Sequence, residues 1–188
     1  PQLVSVDAVA FGNDADLDND DRGVMELDRA VLAWDGDQAV GCAALYSFDL
    51  SVPGGSVPTA GLTWVGVVPT HRRRGVMTHL LADRHRAALA AGEPVVALWA
   101  SQSAIYPRFG YGVASRTLNV TIPRSVELLR TPSLDDVTVS ILPAADDAEP
   151  TRSVHAAARL RRPGMPALDD RWYARSVLDR PAGRDGGS

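Results

Sequence analysis

The run "LTWVGVVPTHRRRGVMTHLL", residues 62–81, constrains the fold more than any other stretch. Its first part closes a strand, "TAGLTWVGVVP" (59–69), that is apolar on both faces in its second half. Such a strand belongs inside a sheet covered by helices on both sides. From Arg74 to Ala91 the apolar residues Val76, Met77, Leu80, Leu81, Ala87, Ala88 and Ala91 mark one face of a helix, and Gly92 closes it. "EPVVALWAS" (93–101) then reads as a buried strand. A strand–helix–strand order of this kind predicts a right-handed parallel crossover.

The flanking segments supply antiparallel neighbours. "LVSVDAVAFG" (3–12) places Leu3, Val6, Val9 and Ala10 at helical spacing before Gly12. "NDADLDNDDRG" (13–23) has no apolar period and reads as an acidic loop. Residues 28–52 read as two strands around "DGD" (35–37), a hairpin signal, with "PGGSVP" (53–58) as the next turn. "QSAIYPRFGYG" (102–112) is a short helix or turn, and "VASRTLNVTIP" (113–123) another strand. The expected fold is α/β: a mixed, mostly antiparallel sheet with a parallel strand–helix–strand core, flanked by helices. The pattern breaks after Pro123. A short strand, a polar linker and two amphipathic helices (151–162 and 169–180) follow, without a sheet of their own. One domain is therefore expected over 1–133, with a linker and the start of an incomplete second unit over 134–188.

The net charge of −4 argues against a global field that would draw the chain to nucleic acid or anionic lipid. All 19 basic residues are arginine, which codon bias in a high-GC genome accounts for. Cys42 is the only cysteine and reads as a buried small hydrophobe in a reducing, cytoplasmic compartment. No apolar run approaches the ~20 residues that span a bilayer. The four histidines do not suggest a metal site: His79 and His85 lie about 240° apart around a helix.

Three arginines at the start of a helix are the wrong charge for its dipole, and that mismatch suggests an anion. The first N–H groups of a helix lack intrahelical partners, and a pyrophosphate can accept from them. Gly75, with no Cβ, lets backbone approach the ligand, and the arginines add charge-assisted bonds. An ordinary solvated first turn is the competing reading of R-x-x-G taken alone.

With "VVALWASQSAIYPRFGYGVAS" following, the stretch resembles the GCN5-related N-acetyltransferases (GNAT), and within them the enhanced intracellular survival (Eis) aminoglycoside acetyltransferases. The likeness is most specific over residues 60–115. The superfamily motif Q/R-x-x-G-x-G/A stands here as Arg72-Arg73-Arg74-Gly75-Val76-Met77, with Met77 departing from the usual small residue. The resemblance implies that acetyl-CoA is the co-substrate, with no metal. Val65, Gly66 and Val67 would pair their backbone with its pantetheine arm. Arg73, Arg74, Gly75, Val76, Met77 and Thr78 would surround its phosphates, and Ser101 and Gln102 would line the splay where it enters. Tyr106 falls on the family's general-acid tyrosine, which protonates the departing thiolate. Tyr111, five residues on, is expected to be dispensable for that step.

The implied function is transfer of acetyl from acetyl-CoA to a primary amine of an aminoglycoside-like or other polycationic acceptor. A non-catalytic acyl-CoA-binding module is the alternative. Nine acidic side chains within residues 14–37 would attract a polycation, or simply solvate a loop. The family's base is the carboxylate of its own C-terminus, delivered by a later domain, and the sequence is expected to stop short of it. A small-molecule amine as partner, no nucleic acid or membrane, and a homo-oligomer (a hexamer in the resembled family) complete the expectation.

Overall fold

A computed structural model describes residues 1–13, 23–123, 138 and 149–176. The first helix, α1 (Gln2–Phe11), ends at Gly12, whose left-handed backbone (φ 74°) lets its N–H return to the Ala8 carbonyl at 2.8 Å. Leu3, Val6 and Ala8 are its buried residues, while Val9, expected inside, faces solvent. Three antiparallel-paired strands follow: β1 (Ala30–Asp35), β2 (Gln38–Val52) and β3 (Gly55–Val67). The β1–β2 turn falls at Gly36-Asp37, between the paired Asp35 and Gln38, as "DGD" predicts. Pro53 and Gly54 (φ 87°) turn the chain from β2 into β3, with proline and glycine where a type II turn needs them.

Helix α2 (Val76–Ala90) then crosses to β4 (Val95–Ala97), which lies parallel to β3. The sheet order is β1-β2-β3-β4, so two antiparallel pairs and one parallel pair give the expected mixed sheet. Helices cover both faces. Leu3 and Val6 pack with Val40, Cys42 and Val68 on one side, and Leu81, Ala88 and Tyr106 pack with Leu45, Ala60 and Leu62 on the other. The unbroken buried run Val40–Leu45 of β2 follows from this double cover. Gly41 allows α2 to sit close: a Cβ there would lie 2.8 Å from Val76 Cγ1.

Two strand expectations need correction. The strand expected over 93–101 pairs only at Val95–Ala97, and Trp99 is 93% exposed. Residues 113–123, expected as a strand, form no ladder, and Val113, Leu118, Val120 and Ile122 stand exposed. Alternation shows that a segment suits a strand, but a strand exists only against a hydrogen-bonding neighbour. Among the described residues none lies beside 113–123.

Beyond Pro123 the described residues hold α3 (Glu149–Arg159) and α4 (Asp170–Ser176). The connection between them docks on the end of β2: Ala167 N–H donates to Asp49 O (2.7 Å) and Gly164 N–H to Ser51 O (2.7 Å). The expected boundary near 133, most of the short strand and linker expected over 132–150, and most of the acidic loop (14–22) lie outside the described residues.

Candidate active site

Strands β3 and β4 pair only from Thr59↔Val95 to Gly61↔Ala97, whereas β3 continues to Val67. The freed edge of β3 forms one wall of a cleft of about 960 Å³. Val65, Gly66 and Val67 line it from the strand, and Arg73, Gly75, Val76, Met77 and Thr78 from the turn and α2. Ser101, Gln102 and Tyr106 line it from the segment after β4. Eleven of the twelve residues expected at the site thus share one cavity. Arg74 is the exception: it points into a separate groove of about 420 Å³, beside Trp34, His79 and Asp83. Successive side chains leave a turn in different directions, so a run of three arginines need not serve one ligand.

The first N–H groups of α2 meet no capping side chain. Gly75 is the N-cap of the helix, at φ 81°. A Cβ at Gly75 would meet only His79 at an ordinary 3.7 Å, so the requirement for glycine here comes from backbone angle rather than crowding. Arg73 is also left-handed, at φ 62°, an uncommon state for a residue with a side chain. No acidic residue lies in the first turn of α2.

β3 carries a bulge that the sequence does not announce. Cys42 pairs with Gly66 and Ala44 with Thr63, so Trp64 and Val65 together oppose Ala43. Trp64 takes φ 53° to make it. The Cys42 thiol donates to the Trp64 carbonyl (3.1 Å), and burial first, then the charge of Asp7, pushes that thiol up to about 12. The bulge sits in the expected pantetheine-binding strand, where it interrupts pairing with β2.

Tyr106 follows a turn at Ser103–Ile105 and is 8% exposed. Burial raises its phenol above the usual value, so at neutral pH the proton is held and available to donate. Arg72 also lines the cleft, with its guanidinium bonded to backbone: Nη2 donates to Ala10 O (2.8 Å) and Nε to Val67 O (3.3 Å). His71 Nε2 meets Asp35 Oδ2 at 3.0 Å, fastening the turn to the β1–β2 hairpin. Arg108, Phe11 and Phe109 also line the cleft and were not anticipated. Arg108 and Phe109 stand inside the "YPRFGYG" motif, which was the available signal; Phe11 enters only through the packing of α1. No carboxylate lines the cleft among the described residues.

A strand splay, a glycine-started helix without a side-chain cap and a buried phenol thus meet at one cavity. The chain belongs to the GNAT acetyltransferase family: the family model described as "Acetyltransferase (GNAT) domain" matches residues 1–114. It is 43% identical over 167 residues to an uncharacterized N-acetyltransferase of Streptomyces avermitilis, covering 88% of this chain and 41% of that protein. It is 44% identical over 108 residues to N-acetyltransferase Eis of Mycobacterium tuberculosis, covering 55% of this chain and 27% of that protein. Among solved structures it resembles Eis1 from Mycobacterium abscessus, with a TM-score of 0.70 and 30% identity over 92% of this chain and 43% of that one. The chain spans about two-fifths of the length of the Streptomyces relatives it matches.

Proposed function

We propose that the cleft binds acetyl-CoA and that Tyr106 protonates the departing CoA thiolate during acetyl transfer to a primary amine. The observation that carries this reading is the convergence of the freed β3 edge, the Gly75-started α2 and buried Tyr106 on one cavity. The phosphates would accept from the first N–H groups of α2, with Arg73 beside them. The amine nitrogen attacks the thioester carbonyl carbon, and the C–S bond breaks with its electron pair passing to sulfur. Tyr106 Oη gives its proton to that sulfur and regains one from solvent. The amine's own proton must go to a base. His71 is the cleft's one imidazole among the described residues and already meets Asp35 and Thr70, so we place the base outside the described cleft.

The acceptor we infer is aminoglycoside-like or another polycation, supported by the acidic residues 14–37 and the likeness to Eis. Assembly as a homo-oligomer, a cytoplasmic setting and a second unit beginning near 134 belong to the same reading. No helix among the described residues is long and apolar enough to cross a membrane. A second reading is an acyl-CoA-binding module without turnover, since no carboxylate lines the cleft among the described residues. Tyr106→Phe separates the two readings. If the site is catalytic, amine-dependent CoA release should fall by about 10² to 10⁴ with acetyl-CoA affinity kept. Coenzyme binding with no amine-dependent release in the intact wild-type protein would establish the second.

A further inference from the structure

The face of α2 that meets the core is not apolar throughout. Met77 and Leu81 pack into it, and the next residue on that line, four further on, is His85. A half-buried imidazole there loses hydration that leucine would not miss, unless it finds a partner. It finds Tyr111: His85 Nε2 lies 2.7 Å from the Tyr111 hydroxyl. Tyr111 in turn stands edge-on to Tyr106, with ring centroids 5.6 Å apart and planes at 73°.

The chain between the two tyrosines is shaped to produce that contact. Phe109 N–H returns to Tyr106 O (2.9 Å), and Gly110, left-handed at φ 89°, reverses the backbone. Tyr111 is thereby brought back beside Tyr106. Burial holds both partners neutral, pushing the Tyr111 phenol up and the His85 imidazole down. A neutral pair with one donor and one acceptor has a single directional bond, which fixes the Tyr111 ring in place. An edge-on aromatic neighbour then limits how the Tyr106 ring can turn.

We propose that Tyr111, expected from the sequence to be dispensable, instead acts with His85 as a positioning pair for Tyr106. The pair joins the helix that begins at the proposed phosphate-binding turn to the proton donor, so that both keep one geometry. This rests on the reading of Tyr106 as the acid. Small displacements of a reacting group lower the rate steeply, so the pair bears on turnover more than on coenzyme affinity.

The test compares His85→Leu, His85→Gln, Tyr111→Phe and Tyr106→Phe in the intact protein, with acetyl-CoA and kanamycin as substrates. His85→Leu and Tyr111→Phe should each lower kcat about ten- to a hundred-fold, with KM for acetyl-CoA within about two-fold. The double variant should be no worse than either single one, because both remove the same bond. His85→Gln places an amide near the Nε2 position and should recover most of the loss. ¹³C-labelled tyrosine should show the Tyr106 ring resonance displaced in His85→Leu and restored in His85→Gln, independently of any acceptor. Wild-type kcat and an unmoved Tyr106 resonance in His85→Leu, with Tyr106→Phe crippled, would overturn the pair and leave the acid in place. Wild-type turnover in Tyr106→Phe would overturn the acid, and the pair with it.

Discussion

The Arg72 guanidinium donates to the Ala10 carbonyl across 2.8 Å, tying the turn before α2 to the last turn of α1. Its Nε reaches Val67 O at the end of β3, so one side chain holds three elements around the mouth of the cleft. Arg72→Ala should loosen the turn, costing about 1 kcal/mol of stability once solvent exposure is discounted. Acetyl-CoA affinity should fall more than that, because the loop would have to be ordered on binding. Arg72→Lys should not restore it, since an ammonium lacks the fork that serves two carbonyls. Calorimetric titration of the three proteins checks this.

Cys42 should be inert while the protein is folded. Its thiol is buried, bonded to Trp64 O and pushed up to about 12, so thiolate is scarce at pH 8. Alkylation by iodoacetamide should track unfolding, with the rate rising sharply only through the denaturant transition. Rapid labelling in native buffer would show that the bulge opens on its own.

Pattern and punctuation coincide at the hairpin at Gly36-Asp37 and the Gly12 stop. The helix expected from Arg74 starts only at Val76, because left-handed Arg73 and Gly75 keep the arginines in the turn before it. Val65–Val67, Gly75 and Tyr106, grouped by their order along strand, turn and motif, line one cavity. The sequence reading misses what only three dimensions create. Trp64 gives no glycine or proline signal for its bulge, Arg72 looks like its two neighbours, and His85 looks like a solvated helical residue until Tyr111 is seen above it. It overreaches at 113–123, where alternation exists without a neighbour to pair.

A second stability prediction concerns the bidentate pair of Arg29 and Glu93, at 2.8 and 2.5 Å, which joins the start of β1 to the turn after α2. Arg84 Nη1 adds a bond to Arg29 O (2.6 Å) from the buried side of α2. Glu93→Gln removes the carboxylate from the bidentate pair but leaves Arg29 its bond to Ser47 and the Glu26 carboxylate at 3.8 Å, so it should cost about 2 kcal/mol. The melting temperature should drop by roughly 4 to 8 °C for a chain of this size. Acetyl-CoA affinity should hardly change, since neither residue lines the cleft.

Alkaline pH should weaken the fold through Tyr106 and Tyr111. Burial raises both phenols above the ordinary value, most strongly at Tyr111, where neighbouring Tyr106 adds to it. A raised folded value means that the unfolded chain releases its protons first, near pH 10. The stability they contribute is therefore complete below about pH 10 and is lost as pH rises beyond it. Absorbance at 295 nm should show two tyrosines ionising late, together with unfolding, and Tyr106→Phe should remove one of them. Ionisation of every tyrosine near pH 10 in a protein still folded would contradict the burial argument.

The central claim is that the cleft between the splayed strands and the start of α2 holds acetyl-CoA, and thermal unfolding with added coenzyme tests it most directly. Ligand bound only to the native state stabilises by about 2.7 kcal/mol at a hundred times its dissociation constant. For a chain of this length that is a rise of roughly 5 to 11 °C in melting temperature. Gly75→Val should abolish the rise, because valine resists the φ of 81° that starts α2. Arg74→Ala should keep most of it, because Arg74 faces the other groove. A wild-type melting temperature unmoved by millimolar acetyl-CoA, or an equal rise in Gly75→Val, would contradict the account.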